Sequence, residues 1–389
     1  MKILHCVELY YPSKGGMQEV VRQISERLAE AGHEVTVATT KLPERDFDAF
    51  NGVRIEEFDI SGNLVRGMEG ETDKYREFIL SSGFDIVSNF AAQQWTVDLT
   101  MDIIESIKAK KVFVPTGFSG LYLPEYRKYF EMMKGYMKKN DMNVFLSNDY
   151  RDINFARENN VGNIMLIPNG ASEKEFLEKS YPDIRKKLGI PKDAFLVLHV
   201  GSHTTVKGHK EAIEIFNAAT IRNSVFLMVG NDAVRACAYS CRAKALASNI
   251  RNFFLNNKTK IIVSSLERKE TVAAYRQADL FLFASNIECS PIVLFECMAS
   301  KTPFLTTDVG NASEIIDWSG GGKLLPTQKG EGGYSFARID KSAEMLQELY
   351  LEKNKREAMA NKAFGIWKKK FTWERIASKY EELYLSLLN

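Results

Sequence analysis

Apolar and polar residues alternate along the chain with two periods, one typical of buried strands and one typical of helices. Residues 2–7 form a short apolar run, and residues 17–31 carry apolar side chains at helical spacing before Gly32 ends the pattern. The β-rich run 34–39 follows directly. A strand, a helix and a second strand in this order predict a βαβ unit, whose crossover makes the two strands parallel.

The same alternation continues to about residue 169 and begins again after a short charged stretch. Later strand-like runs lie at 84–89, 111–114, 143–147, 164–168, 195–200, 224–229, 260–263, 280–284, 303–306 and 322–325. The stretch between the two series contains Pro182, Gly189 and Pro191, which favour a connector. We therefore predict an α/β protein with a first domain at 1–172, a connector at 173–192 and a second domain at 193–365.

Composition agrees with two soluble domains and excludes several classes of protein. The 389 residues are 45% hydrophobic and 26% charged, and no apolar run reaches the ~18 residues of a membrane span. The first residues lack the apolar core of a signal peptide, which predicts a cytoplasmic protein. The 52 basic and 50 acidic residues nearly cancel, and no basic stripe is interleaved with aromatics, so no nucleic-acid partner is predicted.

The cysteines predict neither disulfides nor a metal site. The chain has five of them, at Cys6, Cys237, Cys241, Cys289 and Cys297. None forms a CxxC pair, and no histidine lies at zinc-finger spacing from any of them. Cys237 and Cys241 lie one helical turn apart, a spacing that more often gives two small buried side chains than half a metal site.

Two loops offer groups that suit a phosphate, although the common phosphate motifs GxGxxG and GxxxxGK[ST] are absent. Gly15 and Gly16 lie between the first strand and the first helix, where backbone N–H groups can face an anion or simply form a tight turn. In the second domain, Lys207 and Gly208 directly precede a helix. The ammonium group of Lys207 would either bind a phosphate or be exposed to solvent.

Two glutamates stand in and beside an apolar helix that follows the strand 280–284. Ser290 and Pro291 predict the start of this helix, with Glu288 in the loop before it and Glu296 inside it. A buried carboxylate needs a partner, because an uncompensated charge is strongly destabilising. Both a sugar diol and an arginine or lysine of a neighbouring helix fit Glu296, and the residues alone leave the two interpretations open.

Taken together, these motifs resemble the retaining glycosyltransferases of family 4, or glycosyl transferases group 1, which have the two-domain GT-B fold. Glu288 and Glu296 have the E-x7-E spacing of that family. Further matches, in order along nearly the whole chain, are the loop 11–16, the run 28–37, the segment 167–170, Asp279, Ser285, Pro303, the segment 310–315 and the segment 371–374. The resemblance implies two facing Rossmann-like domains with a cleft between them, and a C-terminal helix, 366–389, that packs back on the first domain.

The resemblance also implies residue roles. Glu296 would hold the ribose of a nucleotide sugar, Lys207 would neutralise its diphosphate, and Glu288 would act at the donor sugar. Further donor-binding positions are Gly16, Gly201, Ser202, Ser290, Pro291 and Ile292, and the acceptor side would include Gly15, Trp95 and Thr116. The chain departs from the family pattern where Ser202 replaces a basic residue and Thr116 replaces a histidine, and Arg268 and His203 are candidates for the missing charge.

The implied function is the transfer of a sugar, with retention, from a nucleotide diphosphate sugar to a glycan or lipid-linked acceptor in bacterial surface polysaccharide synthesis. No metal and no cofactor are expected. A nucleotide-sugar epimerase and a non-catalytic nucleotide-sugar-binding protein remain as alternatives. The basic, aromatic segment 125–141 either lies on the inner face of the cell membrane, giving weak association, or packs its aromatic face on the core.

Overall fold

A mixed sheet of eight strands forms the centre of the first of two units in the computed structural model, which describes all residues from Met1 to Asn389. Its strands run in the order β10-β9-β8-β7-β1-β2-β4-β3, all pairs being parallel except β3 with β4. β5 and β6 form a separate antiparallel hairpin. The strands are β1 (Lys2–Cys6), β2 (Glu34–Thr40), β3 (Ala49–Phe50), β4 (Val53–Phe58), β5 (Ile60–Asn63), β6 (Gly67–Gly70), β7 (Ile86–Phe90), β8 (Lys110–Val114), β9 (Met142–Phe145) and β10 (Ile164–Leu166).

Helices connect these strands and cover the sheet, so that its central strands are buried on both faces, as parallel strands usually are. Leu4 and Val87, on the neighbouring strands β1 and β7, are fully buried. The helices within residues 1–169 are α1 (Gly16–Glu30), α2 (Thr72–Ser81), α3 (Trp95–Ile103), α4 (Arg127–Lys139) and α5 (Arg151–Glu158).

A second, wholly parallel sheet lies within residues 170–372, which form the second unit. Its six strands run in the order β13-β12-β11-β14-β15-β16, and β17 and β18 form an antiparallel hairpin. The strands are β11 (Phe195–Val200), β12 (Ser224–Val229), β13 (Thr259–Ser264), β14 (Leu280–Phe283), β15 (Phe304–Thr306), β16 (Gly322–Leu324), β17 (Thr327–Lys329) and β18 (Ser335–Ala337). The helices are α6 (Glu173–Phe176), α7 (Ile184–Leu188), α8 (His209–Ala218), α9 (Arg235–Phe254), α10 (Arg268–Gln277), α11 (Ile292–Ser300), α12 (Ala312–Ser319), α13 (Ile339–Leu351) and α14 (Lys353–Lys370).

The strand order of the second unit reverses direction between β11 and β14. From β11 the chain moves outward through β12 to β13, then returns to β14 on the other side of β11. The loops that leave the carboxyl ends of β11 and β14 therefore turn to opposite sides of the sheet. Ligands of open parallel sheets bind at such a switch point.

The stretch predicted as a connector, 173–192, contains α6 and α7 and belongs to the second unit. The stretch predicted as one C-terminal helix, 366–389, is divided. Residues 366–370 end α14, where the indole of buried Trp367 donates to the carbonyl of Ala171 at 3.2 Å. This hydrogen bond and the apolar packing of Trp367 in the core hold the end of α14 in the second unit, and the chain joins the first unit only from Trp373.

The last helix, α15 (Trp373–Leu388), packs against α1 within the first unit. Its Tyr384 hydroxyl lies 3.0 Å from Nε2 of His5 on β1, and its Glu381 carboxylate lies 2.8 Å from Nε2 of His33. Burial lowers the pKa of His5 to about 3, so this histidine is a neutral, hydrogen-bonded core residue.

The aromatic face of α4 is part of the core of the first unit. Tyr129, Phe130, Met133, Tyr136 and Met137 are all buried. The structure therefore supports the packing interpretation of the segment 125–141, since its apolar face is occupied. No helix in the structure combines the length and the apolar character that crossing a membrane requires.

Candidate active site

Gly208 allows the loop after β11 to lie directly on the end of β14. Its φ of +64° is left-handed, and a Cβ atom there would lie 1.7 Å from the carbonyl oxygen of Ala284. The N–H of Asn286 donates to the carbonyl of Val206 at 2.8 Å, which fixes the two loops to each other. Lys207 is thereby placed beside the loop that carries Glu288.

The close approach at Gly208 predicts a large loss of stability on substitution. Gly208→Ala is expected to lower the free energy of unfolding by about 3 kcal/mol or more, from backbone strain combined with overpacking. Gly189→Ala is the matched control, because Gly189 has a φ of +63° and nothing within 4 Å of its Cβ position. That variant should lose only about 1–2 kcal/mol. Equal losses in urea unfolding would show that the contact with Ala284 is unimportant.

Lys207 and Glu288 form an ion pair at the switch point. The ammonium lies 2.7 Å from Oε1 of Glu288, and the hydroxyl of Ser285 donates to the same oxygen at 2.7 Å. The Lys207 side chain keeps 28% of its surface exposed and Glu288 keeps 11%. The pair is therefore largely shielded from water, yet the cation remains reachable by a ligand.

Glu296 also has a cationic partner. Its carboxylate is nearly buried on α11 and accepts from the Arg268 guanidinium at 2.6 Å. The same guanidinium donates to Glu175, at 3.1 Å from Nε and 2.5 Å from Nη2. Arg268 thus bridges two carboxylates, and the ion-pair interpretation of Glu296 is realised in this structure. A ribose diol would have to share the carboxylate with Arg268.

Arg268 and His203, the two candidates to replace the basic residue missing at Ser202, differ in whether they carry a charge. Arg268 carries its charge next to Glu296. Burial lowers the pKa of His203, with Arg242 adding to the shift and Asp232 opposing it, so this imidazole is neutral at pH 7. Of the two, only Arg268 can supply a positive charge to a ligand.

The predicted donor residues other than Gly16 lie in two segments of the second unit, which are the loop after β11 and the start of α11 with the loop before it. Gly201 and Ser202 begin the loop after β11, and the N–H of Gly201 donates to the carbonyl of Val229 at 2.9 Å. Pro291 is the N-cap of α11, and Ile292 is its first residue. The helix therefore begins one residue later than predicted, and the N-cap position falls on Pro291 and not on Ser290.

Three histidines beside the Gly201 loop pack on one another, and the sequence did not predict this cluster. Nδ1 of His199 donates to the carbonyl of Leu282 at 2.9 Å, as expected of a hydrogen-bonded core histidine. The ring of His209 lies 4.7 Å from that of His199 and 4.3 Å from that of His203. Burial lowers the pKa of His199 to about 4 and that of His209 to about 2. Three histidines within eleven residues are the signal that could have found this group.

In the first unit, an exposed helix start carries Gly15, predicted for the acceptor, and Gly16, predicted for the donor, and one strained residue is Thr116, predicted for the acceptor. Gly15 is the extended N-cap of α1, and Gly16 is the first helical residue, both exposed. Thr116, after β8, is partly exposed and has a φ of +59°, which is rare for a β-branched residue. Such strain often accompanies a functional site.

The burial of Trp95 disagrees with the acceptor role predicted for this residue. Its side chain is completely buried, packs edge-on against Tyr75 at 4.9 Å, and donates its indole N–H to the hydroxyl of Thr40 at 2.9 Å. Apolar packing and this hydrogen bond use the whole side chain, so Trp95 is a core residue. Tyr122, 60% exposed, is an aromatic residue of this region that is open to solvent.

Comparison with known proteins agrees with this architecture. Two solved structures, sucrose-phosphate synthase from Thermosynechococcus elongatus and a glycosyltransferase from Rickettsia africae ESF-5, each superpose with a TM-score of 0.78, at 18% and 17% identity. Each superposition spans 100% of this chain. It spans 99% of the sucrose-phosphate synthase chain and 98% of the Rickettsia glycosyltransferase chain. The fold is therefore GT-B, with two Rossmann-like units, as predicted.

Sequence comparison finds similarity to glycosyltransferases. Residues 180–365 match the model described as glycosyl transferases group 1, and N-acetyl-alpha-D-glucosaminyl L-malate synthase of Bacillus anthracis is 21% identical over 97% of this chain and 96% of its own. Lipopolysaccharide glucosyltransferase WaaG of Escherichia coli K12 is 24% identical over 82% and 83%. The match to the family model covers 186 of the 389 residues and agrees with the family resemblance predicted from the motifs.

Proposed function

We propose that the protein transfers a sugar from a nucleoside diphosphate sugar to an acceptor hydroxyl, with retention at the anomeric carbon. The observation that carries this proposal is the partly exposed Lys207 ammonium, paired with Glu288 at the switch point of the second unit. A cation there suits a diphosphate, and a carboxylate beside it suits the hydroxyls of the attached sugar. Among the structural neighbours, Anabaena HepE was solved with UDP and with UDP-glucose.

In this reaction the bond between the anomeric carbon and the diphosphate breaks, and a bond to the acceptor oxygen forms while the acceptor hydroxyl loses its proton. Negative charge grows on the leaving diphosphate. Lys207 is positioned to stabilise that charge, and a preorganised cation in a shielded site is effective because it needs no rearrangement. We propose that Lys207, Arg268 and backbone N–H groups do this without a divalent cation bridging the phosphates.

Glu296 is proposed to bind the ribose of the donor. Its carboxylate is nearly buried, and a diol can donate two hydrogen bonds to it without adding charge. Because Arg268 also contacts Glu175, the guanidinium keeps one carboxylate partner while Glu296 accepts hydrogen bonds from the ribose.

The acceptor is proposed to be a growing glycan or a lipid-linked sugar handled in the bacterial cytoplasm. Relatives include enzymes whose names refer to lipopolysaccharide and to teichuronic acid. We place the acceptor near the exposed N-terminus of α1 and near Thr116, because these groups are accessible in the first unit.

A second candidate function is a non-catalytic protein that binds nucleotide sugars. It is favoured by Thr116, a side chain that cannot act as a general base where the family pattern has a histidine. Turnover separates the two: release of nucleoside diphosphate from a bound donor, with or without an acceptor, would exclude the binding protein.

Nucleotide binding tests the proposal directly. A ligand at about 100 times its dissociation constant stabilises the folded state by about 2.7 kcal/mol, so UDP, GDP, ADP and their glucose conjugates can be compared by thermal shift. If none of these nucleotides raised the melting temperature, the proposed donor site would be wrong.

Glu296→Gln is expected to weaken nucleotide binding roughly 10- to 150-fold, the loss of a charged hydrogen bond of ~1.5–3 kcal/mol. UDP and the intact donor should be affected alike, so KM should rise more than kcat falls. The matched control is Glu175→Gln, which removes the other carboxylate of Arg268 and not the ribose contact. Equal effects of both changes on calorimetric affinity would mean that Glu296 acts only through Arg268.

A further inference from the structure

Three side chains able to bind a soft metal converge beside the loop after β11. They are His203 from that loop and Cys237 and Cys241 from the first two turns of α9. One ligand atom from each lies within 4.8 Å of the other two, and Nδ1 of His203 is 3.7 Å from Sγ of Cys237. The group lies outside the ion pairs of Lys207 and Glu296 described above.

The local fold brings these residues together and holds them. Cys237 and Cys241 are one turn apart on the same face of a helix. The N–H of His203 donates to the carbonyl of Asn231 at 3.0 Å, and the N–H of Val234, just before α9, donates back to the carbonyl of His203 at 2.7 Å. The imidazole of His203 stacks on His209, which restricts its rotation.

Gly230 is part of the same arrangement. A Cβ atom at this position would lie 2.2 Å from the carbonyl oxygen of Gly201 and 3.4 Å from the ring of His203. The absence of a side chain lets the loop after β11 lie on the end of β12 and places the imidazole opposite the cysteines. Water has little access to the group, since His203 is 1% exposed and Cys241 is 3% exposed.

The donor set and its spacing fit zinc. A tetrahedral zinc ion at about 2.3 Å from sulfur and about 2.0 Å from nitrogen separates those two atoms by roughly 3.5 Å. The observed 3.7 Å between Nδ1 and Sγ is close to this value. Thiolate and imidazole ligands favour zinc over magnesium and calcium, which prefer oxygen.

We propose that His203, Cys237 and Cys241 bind one zinc ion through Nδ1 and two thiolates. Two thiol protons are released on binding, so the two thiolate charges balance the charge of the ion. With three protein ligands, the fourth coordination position is open to water or another small ligand. The ion ties the loop that carries Lys207 to the N-terminal end of α9.

This site could not be predicted from the sequence, because its histidine and its cysteines are 34 residues or more apart and lie in different elements. The cysteine pair by itself indicated only buried side chains, and no histidine stands at finger spacing. The strand order brings β11 next to β12, so the loop after β11 supplies the histidine and helix α9, which follows β12, supplies the two cysteines.

Metal analysis of the full-length protein tests the proposal. The wild-type protein, dialysed against micromolar zinc and then against buffer, is expected to retain one zinc per chain by mass spectrometry. Cobalt(II) in place of zinc should give the intense absorption of thiolate coordination. Cys237→Ala and Cys241→Ala should each weaken zinc binding roughly 100-fold or more, beyond the 10–100-fold caused by losing an outer-sphere partner.

Cys289→Ala is the matched control for metal content, because Cys289 is also partly exposed, is in no disulfide and lies outside the cluster. Melting curves check that each variant folds. Alkylation of the wild-type protein adds a test that needs no variant: zinc should slow the modification of Cys237 and leave that of Cys289 unchanged. Three results would each overturn the proposal: a zinc content far below one ion per chain, retention of zinc by both cysteine variants, or equal alkylation of Cys237 with and without zinc.

Discussion

Lys207→Met is expected to lower kcat for sugar transfer by roughly 10²–10³-fold, the effect of removing one preorganised group that stabilises transition-state charge. The ammonium lies 2.7 Å from Glu288, in a place where surrounding protein excludes most water. Its interaction with a leaving diphosphate should strengthen as negative charge grows, so kcat should fall more than KM rises. Steady-state kinetics with UDP-glucose or the donor identified by thermal shift would measure this.

The control for this change is Lys210→Met, because Lys210 is exposed, lies three residues further on and loses the same charge. It should leave kcat unchanged. Lys207→Met also leaves the Glu288 carboxylate without its cation, which destabilises the fold, so activity must be measured below the melting temperature of the variant. The double change Lys207→Met with Glu288→Gln should restore stability and leave activity low. Turnover of Lys207→Met at the wild-type rate would exclude the proposed role of the ammonium.

Glu288→Gln is expected to reduce turnover roughly 10²-fold or more while leaving UDP binding intact. The amide keeps the shape of the side chain and its contact with Ser285, and it loses the charge proposed to act at the donor sugar. It also ceases to hold Lys207, so the ammonium is more available to phosphate. The dissociation constant of UDP should therefore stay the same or decrease.

Calorimetric titration with UDP and single-turnover kinetics with the donor separate these effects. The contrast with Glu296→Gln is the sharpest test, since one variant is expected to lose chemistry and the other affinity. A Glu288→Gln enzyme that turned over normally and bound UDP weakly would reverse the two roles. A melting curve for each variant distinguishes such a reversal from unfolding.

The fold was predictable because its signals are local. Every strand of the two sheets except β3 and β4 is a short apolar run that was predicted. β4 was not predicted, because three of its six residues are charged. The break between α14 and α15 was not visible, since residues 353–388 remain helical in character on both sides of it. What divides them is the burial of Trp367 and Phe371 in the second unit, which is a tertiary contact.

The candidate site was predictable in part. The spacing of Glu288 and Glu296 and the position of Lys207 before a helix are properties of the sequence. The partners of these residues are not, because Arg268 reaches Glu296 from α10 and pairs at the same time with Glu175 from α6. The solvent exposure of an aromatic side chain is equally a product of packing, which is why Trp95 was assigned to the acceptor and lies in the core.

The division of the first unit between residues 1–169 and 373–389 has a consequence for biosynthesis. Domains usually fold in the order in which the ribosome produces them. The second unit is one continuous stretch and can fold once Thr372 has emerged, whereas β1 and α1 must wait for α15. Until then, His5 lacks Tyr384 and His33 lacks Glu381. The sheet of the first unit, although synthesised before the second unit, is therefore completed after it, once α15 has emerged.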